Sequence, residues 1–267
     1  MAFYKDTYGI RYQHVSVCSS VKKSCIFLPG GPGVDSSYFN NLSSLLRLPT
    51  HVWFLDFPGN GSNEPHDFED FDHWFKLFPI MMSRFEKPIL IGHSFGAMFP
   101  LLYPELEHLL SGLILLNGIP SLPKRSSSSV STAEEKRFLQ NPSEETFRKA
   151  LESSMHFHFT EPYEEEGRLF LRKLPFNWKA PLWWKKTCRD IDYTAQWIPH
   201  KVPVLILGNE DDIIAPFSMF QEDPRFQRDN ITIKSIKNSR HHCWMDNPQD
   251  TVEAIHQFLI SIFHQDE

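Results

Sequence analysis

The sequence predicts an α/β fold: a mostly parallel, doubly wound sheet interrupted by a helical insertion. Short apolar runs of buried-strand character, Ser24–Leu28, Val52–Asp56, Ile89–Ile91, Ser111–Asn117 and Val202–Gly208, alternate with stretches of helical periodicity, the pattern of βαβ units on a parallel sheet. One of these runs breaks into Gly92-His93-Ser94-Phe95-Gly96 and resumes as a helix, which places a serine at a sharp strand-to-helix turn. The alternation stops after Asn117 and returns at Val202. One domain carrying an insertion accounts for this better than two domains, with residues 1–120 and 198–267 as the core and 121–197 as the insertion.

Taken in order, Phe3 to Val17 alternates around Tyr8-Gly9 and suits an antiparallel hairpin at a sheet edge. Ser24–Leu28 ends in Pro29-Gly30-Gly31-Pro32-Gly33, a loop whose glycines let backbone N–H groups approach a ligand; read alone, it is also an ordinary turn. Tyr38 to Leu48 is a short amphipathic helix, and Val52–Asp56 is a strand closed by Phe57-Pro58-Gly59-Asn60-Gly61-Ser62. Phe68 to Phe85 carries Phe71, Trp74, Phe75 and Phe78 at helical spacing, a core-facing stripe. Lys87-Pro88 opens the strand before the serine, and Met98 to Leu110 continues as the following helix. After the strand Ser111–Asn117 comes a Pro/Ser-rich connector, Ile119 to Ser131, then helical segments at Ser143–Phe157 and Trp183–Trp197. Ile231 to Ile236 alternates as a strand, and the C-terminal helix runs through Phe263.

Composition narrows the function. The chain of 267 residues has a formal net charge of −6 and no Lys/Arg-rich stripe, which argues against nucleic acid as a partner and for a small-molecule substrate. Cys18, Cys25, Cys188 and Cys243 have neither paired nor zinc-type spacing, so free thiols in a reducing compartment are expected. Met1 to Ile10 lacks a signal-peptide core, and no apolar run approaches the ~20 residues that span a bilayer. A soluble, cytoplasmic protein follows as the expectation. Oligomeric state is not fixed by anything in the sequence.

Three distant stretches carry the chemistry. Gly92 and Gly96 flank Ser94, where close strand-to-helix packing leaves no room for side chains. Val202–Gly208 is followed by Asn209-Glu210-Asp211-Asp212-Ile213-Ile214-Ala215-Pro216, and Ile231–Ile236 by Asn238-Ser239-Arg240-His241-His242-Cys243-Trp244-Met245-Asp246-Asn247-Pro248. Together they resemble the α/β-hydrolase fold superfamily. Leu28-Pro29-Gly30-Gly31-Pro32-Gly33 is similar to the His-Gly-Gly-Pro-Gly oxyanion loop of its proline iminopeptidase-like branch, with Pro29 in place of the histidine. Phe54 to Ser62 resembles the superfamily's Asp-x-x-Gly-x-Gly-x-Ser segment. Gly92 to Ala97 resembles its nucleophile elbow, in the Gly-His-Ser-Phe-Gly form common to esterases, where typical iminopeptidases carry Gly-Gly-Ser-Trp-Gly.

The resemblance implies roles. Ser94 would be the nucleophile, with Gly31 and Phe95 N–H groups as the oxyanion hole. Counting back from Ile214-Ala215-Pro216 selects Asp212 as the acid, whereas counting forward from Gly208 selects Asp211. His241 keeps the family spacing to Trp244, Asp246 and Pro248 and would be the base; Arg240 stands where the family has glycine, so His242 stays open as an alternative. The order Ser, Asp, His is the one this fold requires. Such chemistry needs no metal and no organic cofactor.

The insertion would be a cap over the site, offering Phe157, Phe159, Tyr163, Phe170, Phe176, Trp178, Trp183 and Trp184 as an aromatic roof, some of them simply its own core. Glu161, Glu164, Glu165 and Glu166 read either as holders of a substrate amino group or, more ordinarily, as a solvated helix face. His156 and His158 read as surface or packing residues. The expected function is a serine hydrolase acting on an ester or amide of a small, partly apolar compound through an acyl-enzyme. The alternatives are a proline iminopeptidase-like aminopeptidase and a non-catalytic ligand-binding protein on the same fold.

Overall fold

The computed structural model describes residues 2–17, 23–63, 65, 67–122 and 132–263. Its strands are β1 (Ala2–Lys5), β2 (Arg11–Ser16), β3 (Ser24–Leu28), β4 (His51–Asp56), β5 (Ile89–His93), β6 (Gly112–Leu116), β7 (Val204–Gly208) and β8 (Ile231–Ser235). They form one eight-stranded sheet in the order β1-β2-β4-β3-β5-β6-β7-β8. The β1–β2 hairpin adds antiparallel to β4, and every pairing from β4 through β8 is parallel. The helices are α1 (Asn40–Leu46), α2 (Trp74–Met82), α3 (Phe95–Met98), α4 (Leu106–Leu109), α5 (Ala133–Gln140), α6 (Glu144–Ser153), α7 (Met155–His158), α8 (Glu164–Lys173), α9 (Lys179–Asp190), α10 (Ser218–Gln221), α11 (Cys243–Asp246) and α12 (Pro248–Phe263).

Strand periodicity of two divides the core into two layers. Ile26, Leu28, Leu90, Leu113, Leu115, Val204 and Ile206 face one side, where Trp74, Leu77, Phe78 and Met81 of α2 pack with Phe95, Phe99 and Trp184. Cys25, Phe27, Phe54, Ile89, Ile91, Ile114, Leu116, Leu205 and Leu207 face the other, against Leu42 and Leu46 of α1 and Ile255, Leu259 and Ile262 of α12. Strands flanked on both faces must be apolar throughout, which is why β5, β6 and β7 are buried from end to end.

Several expected helices are shorter than their periodicity suggests. Met98 to Leu110 is not continuous: α3 gives way to a 3-10 turn at Phe99–Leu102 and then to α4. Pro100 and Pro104 explain it, since each lacks the N–H that a continuing helix needs. The stretch expected at Trp183–Trp197 starts earlier and stops at Asp190; beyond it Asp192 turns left-handed (φ 44°), and the buried Tyr193 hydroxyl donates to the Met98 and Ile119 carbonyls. Tertiary packing there overrides helical propensity. Of the expected connector Ile119–Ser131, residues 123–131 lie outside the described residues, as does Cys18. Cys25, Cys188 and Cys243 are buried free thiols.

Candidate active site

Ser94 stands at the end of β5 with φ 50° and ψ −113°, a conformation that costs a non-glycine residue energy and that surrounding structure must hold in place. What holds it is close contact. A Cβ on Gly92 would lie 2.0 Å from the Gly96 carbonyl oxygen, and one on Gly96 would lie 2.1 Å from that of Leu28. The turn is thus wedged between β3 and α3, with Ser94 half-buried at its apex.

Ser94 Oγ is 3.0 Å from His241 Nε2, and His241 Nδ1 is 2.9 Å from Asp212 Oδ2. His241 and Asp212 are buried, whereas Asp211 is exposed, so of the two candidate aspartates it is Asp212 that the loop after β7 turns towards His241. Asp212 Oδ1 accepts from the N–H groups of Ile214 and Ala215 at 2.9 Å each, and Oδ2 also accepts from Asn117 Nδ2 at 2.9 Å. Burial pushes this carboxyl up, but the adjacent His241 ring and these hydrogen bonds outweigh it and leave Asp212 below the usual carboxylate range. An ionised carboxylate only accepts, so His241 Nδ1 carries its hydrogen and Nε2 is left to accept from the Ser94 hydroxyl.

His242 is turned elsewhere. Its Nε2 is 2.7 Å from the Tyr38 hydroxyl and its ring stacks on Phe159 at 4.5 Å. The two candidate bases are therefore separated by geometry. Only His241 faces the serine.

The glycine loop after β3 runs against the apex, since a Cβ on Gly30 would sit 3.2 Å from Ser94 Cβ and 2.8 Å from His93 Nδ1. Gly31 is exposed, has φ 104°, and among the described residues no carbonyl accepts from its N–H or from that of Phe95. Beneath the loop, Asn60 Oδ1 accepts from Gly33 N–H at 2.9 Å, and the Gly33 carbonyl accepts from Gly61 and Asn177 N–H at 2.9 and 2.8 Å. Arg11 pairs there with Asp56 at 2.7 Å and Asp35 at 3.3 Å, while Ser36 and Ser62 donate to the same carboxylates. The Asp56-to-Ser62 segment is thus the floor that shapes the glycine loop.

Of the aromatics expected over the site, Trp184 is buried, Tyr163 is exposed, and Phe157, Phe170, Phe176, Trp178 and Trp183 are half-buried. Trp184 meets Phe95 edge-on at 4.9 Å, Trp183 lies 5.4 Å from Trp74 and donates to Asp72, and Phe170 lies 5.7 Å from Tyr38. Phe176 and Trp178 join Phe138 and Phe147, and Tyr163 is exposed. Glu164 and Glu165 pair with Arg168, which also binds Glu152, so these acids form a surface ion-pair cluster. Among the described residues no group of His, Cys, Asp and Glu is arranged to hold a metal.

Sequence reasoning missed the residues around the candidate base. His158, read as packing, holds its ring 5.6 Å from that of His241, while His156 is exposed. Burial and the neighbouring His241 push His158 down to about 3. Arg240 donates to the His156 and Phe159 carbonyls, Asp246 accepts from Thr160 and from the Arg240 N–H, and the His158 carbonyl accepts from His242 N–H. The arginine in a usual glycine position is the one signal that could have pointed to this clasp.

A family model described as the alpha/beta hydrolase family matches residues 25–254. No curated protein sequence matches the chain significantly. Similar solved structures include an esterase from Exiguobacterium antarcticum (TM-score 0.71, 17% identity, covering 96% of this chain and 98% of that one). Another is a proline iminopeptidase-related protein from Thermus thermophilus (TM-score 0.72, 19% identity, 98% of each chain). A monoacylglycerol lipase from Paleococcus ferrophilus has a TM-score of 0.63 at 18% identity, over 98% of this chain and 100% of that one. At these identities the likeness is one of fold. No described helix is long and apolar enough to cross a membrane.

Proposed function

Since the chain belongs to the alpha/beta hydrolase family, we propose that it is a serine hydrolase that cleaves an ester or amide of a small, partly apolar compound through an acyl-enzyme. The observation that carries this reading is the continuous path from Ser94 Oγ through His241 to Asp212, at 3.0 and 2.9 Å. A serine hydroxyl is a weak nucleophile at neutral pH, so His241 Nε2 takes its proton as Oγ attacks the carbonyl and returns it to the leaving group. Asp212 holds the ring in the tautomer this requires and stabilises the imidazolium. The Gly31 and Phe95 amides receive the oxyanion, where losing one donor costs ~3–4 kcal/mol of barrier. The chemistry asks for no cofactor.

In this reading residues 121–197 act as a cap whose aromatic content favours an apolar acyl or leaving group. The ester side is preferred over the aminopeptidase side because Glu164 and Glu165, candidates to hold a free amino group, already pair with Arg168. The buried free thiols suit a cytoplasmic setting. A fluorophosphonate that phosphonylates Ser94, located by mass spectrometry and absent in Ser94→Ala, is the expected result. Labelling at another residue, or none at all, overturns the reading. Turnover of short acyl esters should exceed that of aminoacyl-naphthylamides; the reverse ratio transfers the proposal to the aminopeptidase.

A further inference from the structure

Directly behind the proposed base lies a buried polar chain that the mechanism leaves unused. The Tyr38 hydroxyl is 2.7 Å from His93 Nδ1 and 2.7 Å from His242 Nε2, and His93 Nε2 is 2.7 Å from the carbonyl oxygen of His241. Tyr38, His93, His241 and His242 are all buried.

Only one arrangement of hydrogens satisfies these contacts with neutral rings. A carbonyl accepts, so His93 Nε2 carries the hydrogen and its Nδ1 must accept. Tyr38 has one proton to give, and it goes to His93. Its oxygen then accepts from His242 Nε2, which leaves His242 Nδ1 without a hydrogen. Of the two ring nitrogens of His242, Nδ1 is the one buried without a hydrogen-bond partner among the described residues. Burial, with the other histidines close by, holds both His93 and His242 well below the usual imidazole range, which keeps the rings neutral as the pattern demands.

The chain ends on the peptide that carries the base. Its neighbours are fixed by other means: the Arg240 carbonyl accepts from Asn117 Nδ2 at 3.2 Å and Asn209 Nδ2 at 2.7 Å, and the Arg240 N–H donates to Asp246 at 2.7 Å. We propose that Tyr38 is a positioning residue for the hydrolytic reaction, acting through His93 to hold the His241 peptide so that its ring keeps the approach to Ser94. This rests on the reading of Ser94 and His241 as nucleophile and base. It also gives the histidine of Gly-His-Ser-Phe-Gly a role, since of the two rings Tyr38 bridges, His93 is the one that reaches the His241 carbonyl.

Tyr38→Phe tests it, because phenylalanine retains the ring contacts with Phe39, His93 and Trp244 and removes only the hydroxyl. Fluorophosphonate labelling of Ser94 and kcat on an acyl ester should fall about 10- to 100-fold, as for a misplaced catalytic group, with KM within about twofold of wild type. The downfield proton resonance of the His241–Asp212 hydrogen bond should shift or broaden. His93→Gln, which extends an amide N–H towards the place of Nε2, should label faster than His93→Leu. Wild-type labelling with an unchanged Tyr38→Phe rate overturns the proposal alone; an unlabelled wild type overturns the reading beneath it and the proposal together. If Tyr38→Phe fails to fold, equal rates in the two His93 variants overturn it.

Discussion

At the scale of residues, the proposed acid, Asp212, is held by four hydrogen bonds among the described residues. Asp212 receives hydrogen bonds from two backbone amides, from the Asn117 side chain and from His241, so both of its oxygens are fixed. Asn117 reaches it from the end of β6 because it adopts φ 46°, a left-handed conformation that asparagine tolerates. Replacing Asp212 by Asn removes the charge but keeps the shape. The amide presents a donor to His241 Nδ1, favours the wrong tautomer, and should lower kcat by ~10⁴-fold. Asp211→Asn, at an exposed neighbour, should stay within about twofold of wild type. Steady-state kinetics on one ester distinguishes the two, and comparable losses would mean the loop after β7 moves in solution. Sequence counting left both aspartates open because the loop holds one residue more than the family spacing; what separates them is which carboxylate meets the amides of Ile214 and Ala215, a matter of backbone path.

At the scale of elements, the strand-to-helix turn depends on absent side chains. A methyl at position 96 would fall 2.1 Å from the Leu28 carbonyl and 2.7 Å from that of Pro29, both backbone atoms that cannot swing aside. Gly96→Ala should therefore force β3 and α3 apart, costing about 3 kcal/mol or more and lowering the melting temperature by ~6–12 °C. Scanning calorimetry checks this, and an unchanged transition would show that the glycine loop yields more readily than its hydrogen bonds to Asn60 and Gly61 suggest. The turn was legible in the sequence because glycine spacing and apolar flanks are local signals, and the same holds for β3 through β8. Less of the helices was legible. Pro100 and Pro104 divide the stretch after Phe95, and the segment from Ile191 to Trp197 is fixed by Tyr193 reaching the Met98 and Ile119 carbonyls. Contacts across such sequence distances leave no periodicity to read. The cluster around the base was hidden for the same reason: Tyr38, His93, His158 and His242 come from the 3-10 turn Ser36–Phe39, β5, α7 and the loop before α11.

At the scale of the whole molecule, that cluster couples folding to pH. Residues 156–160 meet the sheet end where Arg240, His242 and Asp246 bond them; His93 and His242 are buried there and His158 half-buried, each pushed below the ordinary value of 6.5 first by desolvation and then by its neighbours. A histidine depressed in the folded state binds its proton more weakly there than in the unfolded chain. Its contribution is complete above 6.5 and is lost as the pH falls below it, by ~1.4 kcal/mol per ring per pH unit. All three rings therefore act in the same direction, against the folded state as the pH falls. Asp56 and Asp246 work in the opposite sense, since burial raises both carboxyls, Asp56 to about 6, and the folded state then holds their protons more tightly as the pH falls. Asp212 and Asp35 lie below the usual range and lose their contributions only in stronger acid. With three rings set against two carboxyls, the melting temperature should be lower at pH 5.5 than at pH 7. The loss should be smaller in His158→Asn, which removes one ring from the junction and retains the backbone carbonyl that accepts from His242. A melting temperature that holds steady from pH 7 to 5.5 would mean these rings take up protons without leaving their partners, and the junction between insertion and core would then not be what acid opens first.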